Sequence, residues 1–179
     1  MIRKVGKIMW NSIKTLRINE IMCLFVTPLF VIVPIFLGIN SYIINNKEFV
    51  NDFIDKVITI TTLLSAFGLA ALSILVSSSS KNIEDSKNLK CSNRRRVNGK
   101  EISYYQLQFY RSISGLIIQF IVLILSIIFN FIFLICNNTC MLLLFYSIFY
   151  LLIVSLLFQI LSIISIYYLF VNTDRNDDN

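Results

Sequence analysis

Three consecutive arginines, Arg94 to Arg96, lie close to Lys100 and to two tyrosines in an otherwise apolar chain. Basic groups beside aromatic rings bind lipid phosphates by charge, or single-stranded nucleic acid by charge and base stacking. The same residues also have a simpler interpretation, in which they only orient a membrane protein and anchor it at the interface. The sequence leaves both interpretations open. The candidate residues for binding an acidic ligand or partner are Arg94, Arg95, Arg96, Lys100, Tyr104 and Tyr105.

A second group of polar residues forms a line along the third apolar segment of the chain. At about 100° per residue, its members project within roughly 60° of each other. They are Ser112, Gly115, Gln119, Ser126, Asn130 and Asn137. Hydrogen bonds between packed helices, worth about 0.6 to 2 kcal/mol each, account for such a line. A water-filled path also accounts for it, and then Gln119, Ser126, Asn130 and Asn137 line a pore.

The other apolar segments carry similar stripes of small or polar residues. These are Cys23, Thr27, Pro34, Gly38 and Ser41 in the first, Thr59, Thr62, Ala66, Ala70, Ser73 and Ser77 in the second, and Ser155, Gln159 and Ser162 in the fourth. Small residues let helix backbones approach closely in lipid. The stripes predict a symmetric homo-oligomer, with a tetramer favoured.

Residues that would indicate an enzyme are missing from the sequence. There is no histidine, and the four cysteines are scattered, so we expect no metal site. No phosphate-binding glycine loop or nucleophile elbow is present. We therefore expect a protein that is not an enzyme and needs no cofactor.

The elements that must position these residues are membrane-spanning helices. Charged residues make up 15% of the chain, whereas about 25% is usual in soluble domains. Four apolar runs, at residues 21–44, 57–77, 112–136 and 140–171, are long enough to cross about 30 Å of hydrocarbon. We predict an all-α membrane protein with four transmembrane helices. Pro28 and Pro34 each remove a backbone donor from the first helix, and the resulting kink is a candidate gate.

The chain divides into five predicted segments. Residues 1–20 form a basic amphipathic N-terminal arm, and residues 21–78 hold transmembrane helices 1 and 2. Residues 79–111 form a basic cytoplasmic loop and helix extension. Residues 112–171 form the hairpin of transmembrane helices 3 and 4, which turns at CNNTC, and residues 172–179 are an acidic cytoplasmic tail.

The N-terminal arm has an apolar side opposite a basic side. The apolar side holds Ile2, Val5, Ile8, Met9, Ile13 and Leu16, and the basic side holds Lys4, Lys7 and Lys14. This pattern is typical of a helix lying in the inner membrane interface, with Trp10 at the headgroups. A cytoplasmic extension of the first spanning helix is the alternative.

Lysines and arginines are concentrated in the arm and in residues 79–111, while the two other connections hold only Lys47 and Lys56. Because basic residues favour the cytoplasmic side, both termini and the long loop are expected inside.

The whole chain resembles a group of small membrane proteins through three features. These are the helix TLLSAFGLAALSILVSSSS running into a basic loop, the CNNTC turn, and the frequent use of Ile, Asn and Lys. The chain resembles the four-helix membrane subunits of bacterial anti-phage operons, such as the HalB channel of Hailong and the KwaA subunit of Kiwa. Less closely, it resembles membrane accessory proteins of some CRISPR loci. The resemblance implies a homo-oligomeric pore or sensor in the bacterial cytoplasmic membrane. It also implies control by a cytoplasmic protein or an oligonucleotide.

Three functions fit these observations. The first is an oligomeric pore that acts as a membrane-disrupting effector in anti-phage defence, gated by an acidic ligand or cytoplasmic partner. The second is a non-conducting sensor or scaffold that recruits a cytoplasmic protein. The third is a transporter component, which is disfavoured because ion-coupled transporters usually keep an ionisable residue within the membrane.

The charge distribution makes a testable prediction about topology. Single cysteines placed at residues 95–99 of a cysteine-free variant should resist a membrane-impermeant maleimide in intact cells, whereas cysteines at 45–51 should react. The opposite pattern of labelling would contradict the predicted orientation.

Overall fold

The computed structural model describes residues 2–77, 81–91, 96–97, 100–133, 135 and 137–171. Four of its helices are long and apolar enough to cross a membrane: Ile18–Asn45, Lys47–Ser77, Tyr104–Ile132 and Asn138–Ile166. The expectation of four transmembrane helices is thus confirmed in length and composition, as for a multi-pass membrane protein.

The elements follow one another in a simple order. Helix α1 spans Ile2–Thr15. The first spanning helix consists of α2 (Ile18–Ile21), a π-helical turn (Met22–Val26) and α3 (Thr27–Asn45). Then come α4 (Lys47–Ser77), α5 (Lys81–Asn88), the strands β1 (Arg96–Val97) and β2 (Lys100–Glu101), α6 (Tyr104–Ile132) and α7 (Asn138–Val171).

Helix α6 is the centre of the bundle. It packs along both α4 and α7, while α3 lies mainly against α7 and touches α4 little. Helix α1, helix α5 and the two strands gather at the end of the bundle where α6 begins. We call it the hairpin end after the strand pair β1–β2. The opposite end holds the short connections around Asn46 and residues 133–137, and we call it the turn end.

Large apolar side chains fill the centre of the bundle. Leu24, Ile54, Val122, Phe129 and Ile148 are each at most 1% exposed. Lipid tails are as apolar as these side chains, so their burial contributes van der Waals packing more than transfer out of water. Close fit therefore decides which helix faces meet.

The first spanning helix is irregular where its sequence predicts a kink. The π-helical turn immediately precedes Pro28, which is buried, whereas Pro34 is exposed inside the continuous helix α3. The Tyr150 hydroxyl donates a hydrogen bond of 3.1 Å to the carbonyl of Phe25 in this turn. Tyr150 on α7 thus satisfies a backbone carbonyl of the irregular turn. Within a membrane such a group must find its hydrogen-bond partner in the protein or in trapped water.

The N-terminal arm is helical, and its buried face combines polar residues with part of its apolar side, since Leu16 is 8% exposed and Met9 packs against the core. Asn11, Ser12 and Thr15 are buried, while Trp10 is 60% exposed and Ile13 is 37% exposed. The Lys14 Nζ atom lies 5.5 Å from the centre of the Trp10 ring. The arm thus packs on the bundle through a partly polar face and leaves an apolar and basic face open.

The polar, low-complexity sequence SSSSKNIEDSKNLK after α4 favours a flexible segment, but the structure contains helix α5 there. The flexible interpretation was wrong because Ile83 and Ser86, three residues apart, are both buried on one helix face. The antiparallel pair β1–β2 was not predicted either. Cys91, Val97, Ile102 and Leu107 form a small core beneath it.

The start of α6 is fixed by a capping box. The Ser103 hydroxyl accepts from the backbone N–H of Gln106 at 3.2 Å, and the Gln106 side chain accepts from the backbone N–H of Ser103 at 3.2 Å. This reciprocal pair satisfies two donors that would otherwise be unpaired at a helix N-terminus.

The fit between α4 and α6 can be tested at Gly68. A Cβ atom there would lie 2.8 Å from Cδ2 of Leu116, whereas a Cβ at Gly38 would meet nothing within 4 Å. We expect Gly68→Val to lower the free energy of unfolding by about 1 to 3 kcal/mol, because overpacking forces side chains from their preferred rotamers. Denaturant unfolding in detergent micelles measures this change.

The matched control is Gly38→Val, which makes the same replacement in another spanning helix. Equal destabilisation by both variants would contradict a tight contact at Gly68.

Candidate functional site

A buried ion pair closes the hairpin end of the polar line on α6. The Nη2 atom of Arg111 donates to Oε1 of Glu20 at 2.7 Å, and these side chains are 6% and 19% exposed. Nη1 of Arg111 donates to the Ser165 hydroxyl. Arg111 therefore links α6 with α2 and α7.

Glu20 serves two elements at once. Its second oxygen, Oε2, accepts a hydrogen bond of 2.9 Å from the backbone N–H of Arg17. This contact caps the beginning of the first spanning helix, where an acidic group also interacts favourably with the helix dipole. The start of the first helix is thus tied to the start of α6.

Next along α6, Gln108, Ser112 and Ser162 form a hydrogen-bonded cluster, although the buried Oε1 atom of Gln108 has no partner in the described part of the chain. The Gln108 Nε2 atom donates to Ser112 Oγ at 3.1 Å and to Ser162 Oγ at 2.8 Å. The two serine oxygens are 2.9 Å apart. This cluster joins α6 to α7, and Gln108 is only 1% exposed.

Two glutamines meet in the middle of the bundle. The Gln119 Nε2 atom lies 3.4 Å from Oε1 of Gln159, which is a long hydrogen bond. Gln119 itself is 0% exposed. Glycines lie beside both amides: a Cβ on Gly68 would be 3.7 Å from Oε1 of Gln119, and one on Gly115 would be 3.9 Å from Oε1 of Gln159. The absence of side chains at Gly68 and Gly115 leaves room for the two amides.

Four buried oxygens at the contact of α4 and α6 have no hydrogen-bond partner in the described part of the chain. They are the hydroxyls of Thr61, Ser65 and Ser126 and the Oε1 atom of Gln119. All four residues are at most 6% exposed. Each such group costs about 1 to 3 kcal/mol if nothing satisfies it.

The antiparallel register of α4 and α6 places these four oxygens at neighbouring levels. Gly68 lies against Leu116 and Gln119, and nearer the turn end Asp55 meets Asn130. Thr61 and Ser65 fall between these two contacts on α4, as Ser126 does on α6. We call Thr61, Ser65, Gln119 and Ser126 the oxygen line.

The turn end of the line is exposed. The Asn130 Nδ2 atom donates to Oδ1 of Asp55 at 3.2 Å, and both residues are exposed. Asn137 is exposed in the α6–α7 connection, where its carbonyl accepts from the backbone N–H of Met141 at 3.0 Å.

The structure thus separates the residues that the sequence grouped as pore-lining. Gln119 and Ser126 lie inside the chain's own bundle, whereas Asn130 and Asn137 are exposed near the turn end. The stripe of α7 also points inward, with Ser155 and Ser162 buried. The stripes of α3 and α4 point outward, since every residue in them is exposed.

Sequence reasoning missed several residues of this site, among them Thr61 and Ser65 of the oxygen line, because the stripe that it marked on α4 is the exposed one. Glu20 was assigned to the arm, Arg111 was counted only as a topology signal, and Asp55 was not considered. Gln108 had a usable signal, because it lies on the same helical face as Ser112 and Gln119. The polar line was started at residue 112, which left Gln108 out, although Gln108 lies in the predicted inward extension of this helix and α6 begins at Tyr104.

The described part of the predicted basic site belongs to the strand pair and to the start of α6. Arg94 and Arg95 lie outside the described residues. Arg96 pairs with Glu101 and Lys100 with Val97 across the strands. Tyr104 packs against the small core, and the Tyr105 ring lies 5.3 Å from the Lys87 Nζ atom.

Comparison of the chain with protein-family models, curated proteins and solved structures finds no match.

The ion pair at the hairpin end makes a prediction about stability. Arg111→Gln leaves the Glu20 carboxylate partly buried without its arginine, so we expect a loss of about 3 to 5 kcal/mol in the free energy of unfolding. Adding Glu20→Gln should restore part of it, because the carboxylate charge that Arg111 balanced is then removed. Denaturant unfolding of the two single variants and the double variant in detergent micelles measures the coupling.

Lys56→Gln is the control, because its pair with Asp52 at 2.6 Å has side chains 68% and 61% exposed. Exposed pairs contribute little, so this variant should unfold like the wild type. Additive losses in the double variant would show that Arg111 and Glu20 are not coupled.

Proposed function

We propose that the protein is a pore-forming membrane protein whose path follows the oxygen line between α4 and α6. One observation carries the proposal: four neighbouring oxygens buried at the contact of two spanning helices lack partners. Water satisfies such groups, and buried polar groups in proteins regularly hold ordered water. A hydrated line is the minimal requirement for a conducting path.

The chemistry of the line favours water and monovalent cations as the conducted species. Hydroxyl and amide oxygens are neutral ligands, and rings of neutral carbonyl oxygens replace the hydration shell of potassium in its channels. The exposed Asp55 carboxylate stands beside the turn end of the line, where it attracts cations. The Arg111–Glu20 pair and the Gln108 cluster close the hairpin end, so the arrangement corresponds to a shut path.

Assembly into a homo-oligomer, with a tetramer favoured, fits the outward stripes of α3 and α4. The exposed stripe of α4 includes Thr62, Ala66 and Ala70, spaced four residues apart. The Thr62 hydroxyl donates to the carbonyl of Ile58 in its own helix at 2.8 Å. The hydroxyl hydrogen therefore needs no acceptor from a second chain. Small residues at this spacing are typical of helix contacts in lipid. In this proposal the copies meet through α3 and α4, and each chain keeps its own path.

Control from the cytoplasm is the part of the proposal that involves the basic residues. In the bacterial cytoplasmic membrane, with both termini inside, the hairpin end faces the cytoplasm and α1 lies in the inner interface. An acidic protein or oligonucleotide bound at the strand pair would act on α6, which begins at Tyr104 and carries Arg111. Such a ligand shifts the equilibrium only by its differential affinity for shut and open forms. Opening would disrupt the membrane, as an anti-phage effector requires.

A non-conducting sensor or scaffold is the second candidate. The observation that favours it is the Gln108–Ser112–Ser162 cluster, in which polar groups of α6 and α7 form hydrogen bonds with each other. Such bonds are expected where helices pack without water between them. On this alternative the oxygen line is also a helix contact, and the basic strand pair recruits a protein.

Single-channel recording in planar bilayers tests the proposal. Thr61→Val keeps the shape of the side chain and removes its hydroxyl from the line, so the unit conductance should fall about fivefold for a loss of about 1 kcal/mol. Gln119→Leu should lower it further, because a bulkier apolar side chain dries the middle of the path.

The matched control is Thr62→Val, the same replacement at the neighbouring exposed position, whose hydroxyl bonds its own helix. It should conduct like the wild type. Absence of any current from the wild type across voltages, with or without oligonucleotides, would refute the pore and favour the scaffold. Equal conductance of both valine variants would place the path elsewhere.

A further inference from the structure

One side of α1 is exposed and positively charged. At about 100° per residue, Arg3, Lys7, Trp10 and Lys14 project within roughly 60° of each other. All four residues are exposed. The sequence contains no Asp or Glu before Glu20, so no acidic residue of α1 offsets the charge. We call Arg3, Lys7, Trp10 and Lys14 the basic face of α1.

The bundle neither covers nor neutralises this basic face. Ser12 and Thr15, which are 0% and 1% exposed, project from the other side of α1 and pack on the bundle. Within the described ranges of the chain, the three cations of the basic face form no ion pair with a carboxylate. Their charges are therefore available to an anionic partner.

The connection to the first spanning helix holds the basic face at the membrane boundary. Helix α1 ends at Thr15, and the spanning helix begins at Ile18. Consecutive Cα atoms are about 3.8 Å apart, so these two residues lie within about 11 Å of each other. Trp10 is 60% exposed and Ile18 is 79% exposed. Because tryptophan is enriched at the level of lipid headgroups, the basic face is placed to meet them.

Charge must supply much of the attraction between α1 and lipid. Part of the apolar side is already used by the bundle, since Met9 packs against the core and Ile13 is only 37% exposed. Helix α1 therefore has little apolar surface left to insert into the membrane. An acidic protein or a nucleic acid also matches the charge, but the short link to a spanning helix keeps the basic face beside lipid at all times.

We propose that the basic face of α1 binds anionic phospholipid headgroups, with Arg3, Lys7 and Lys14 on the phosphates and the Trp10 ring among the headgroups. Lipid then holds one side of α1 while the bundle holds the other. This inference rests on the membrane placement of α1 in the proposed function, but not on conduction. A chain that passes no current would still bind these lipids, so the two proposals fail separately.

The fluorescence of Trp10 tests the proposal, because it is the only tryptophan in the chain. The full chain is placed in nanodiscs of equal parts phosphatidylcholine and phosphatidylglycerol, and the acyl chains of one lipid or the other carry bromine, which quenches tryptophan. We expect stronger quenching by brominated phosphatidylglycerol. The expected preference is about fivefold, the factor for roughly one basic residue at an anionic surface.

Salt tests the wild type without any substitution. At about 1 M salt the Debye length is about 3 Å, so exposed charges are largely screened. The two brominated lipids should then quench almost equally. A preference that is unchanged at high salt would overturn the proposal, because the attraction would not depend on charge.

Two variants with the same loss of charge complete the test. The triple variant Arg3→Gln, Lys7→Gln and Lys14→Gln should be quenched equally by both lipids. The matched control, Lys47→Gln, Lys56→Gln and Lys90→Gln, removes three exposed cations outside the basic face and should keep the preference.

Three further results would contradict the proposal. The first is equal quenching of the wild type by both lipids at low salt, and the second is a preference retained by the first triple variant. The third is a wild type without lipid preference whose Trp10 fluorescence changes when a single-stranded oligonucleotide or an acidic peptide is added. That result would assign the basic face to a partner in solution.

Discussion

A polar group in hydrocarbon must find its hydrogen-bond partner inside the protein or in trapped water. Helix α6 carries more of the described buried polar residues than any other helix, and most of those on α6 lie along one face. Arg111 donates hydrogen bonds to Glu20 and Ser165, and the Nε2 atom of Gln108 donates to Ser112 and Ser162. Apart from Ser112, which is on α6 itself, those partners come from α2 and α7, so satisfying the face of α6 also positions the start of the first spanning helix and the end of α7. The strand pair and the arm are placed in turn by their contacts with α6 and with each other.

The same constraint explains where the packing is close and where it is incomplete. Apolar side chains gain little by leaving lipid, so helix faces are chosen by fit and by hydrogen bonding. Gly68 and Gly115 make room for the Gln119 and Gln159 amides. Along the oxygen line, the described protein atoms do not meet the constraint. Four oxygens without partners on two facing helices are costly if dry, and that cost is the physical reason for proposing water along them.

The sequence was sufficient to predict the four spanning helices, because such helices are recognised from hydropathy and length alone. The 3.6-residue period also placed Gln119 and Ser126 correctly on one face of α6. It did not show that the stripes of α3 and α4 turn outward, because a small residue suits lipid, a second copy or a neighbouring helix equally well. Arg111 could not be recognised as buried without Glu20, which is 91 residues away. Helix α5 and the strand pair depend on contacts with the bundle that no local pattern records.

The central claim is that water reaches the oxygen line inside the bundle. Thiol modification in lipid vesicles measures this directly, with Ser126→Cys placed in a cysteine-free variant and treated with a small water-soluble thiosulfonate. The reference is Ser155→Cys on α7, which is equally buried but whose native hydroxyl donates to the carbonyl of Leu152 at 2.8 Å. The account predicts modification at residue 126 and protection at residue 155. Equal protection at both positions would show that the interior is dry and would contradict the account.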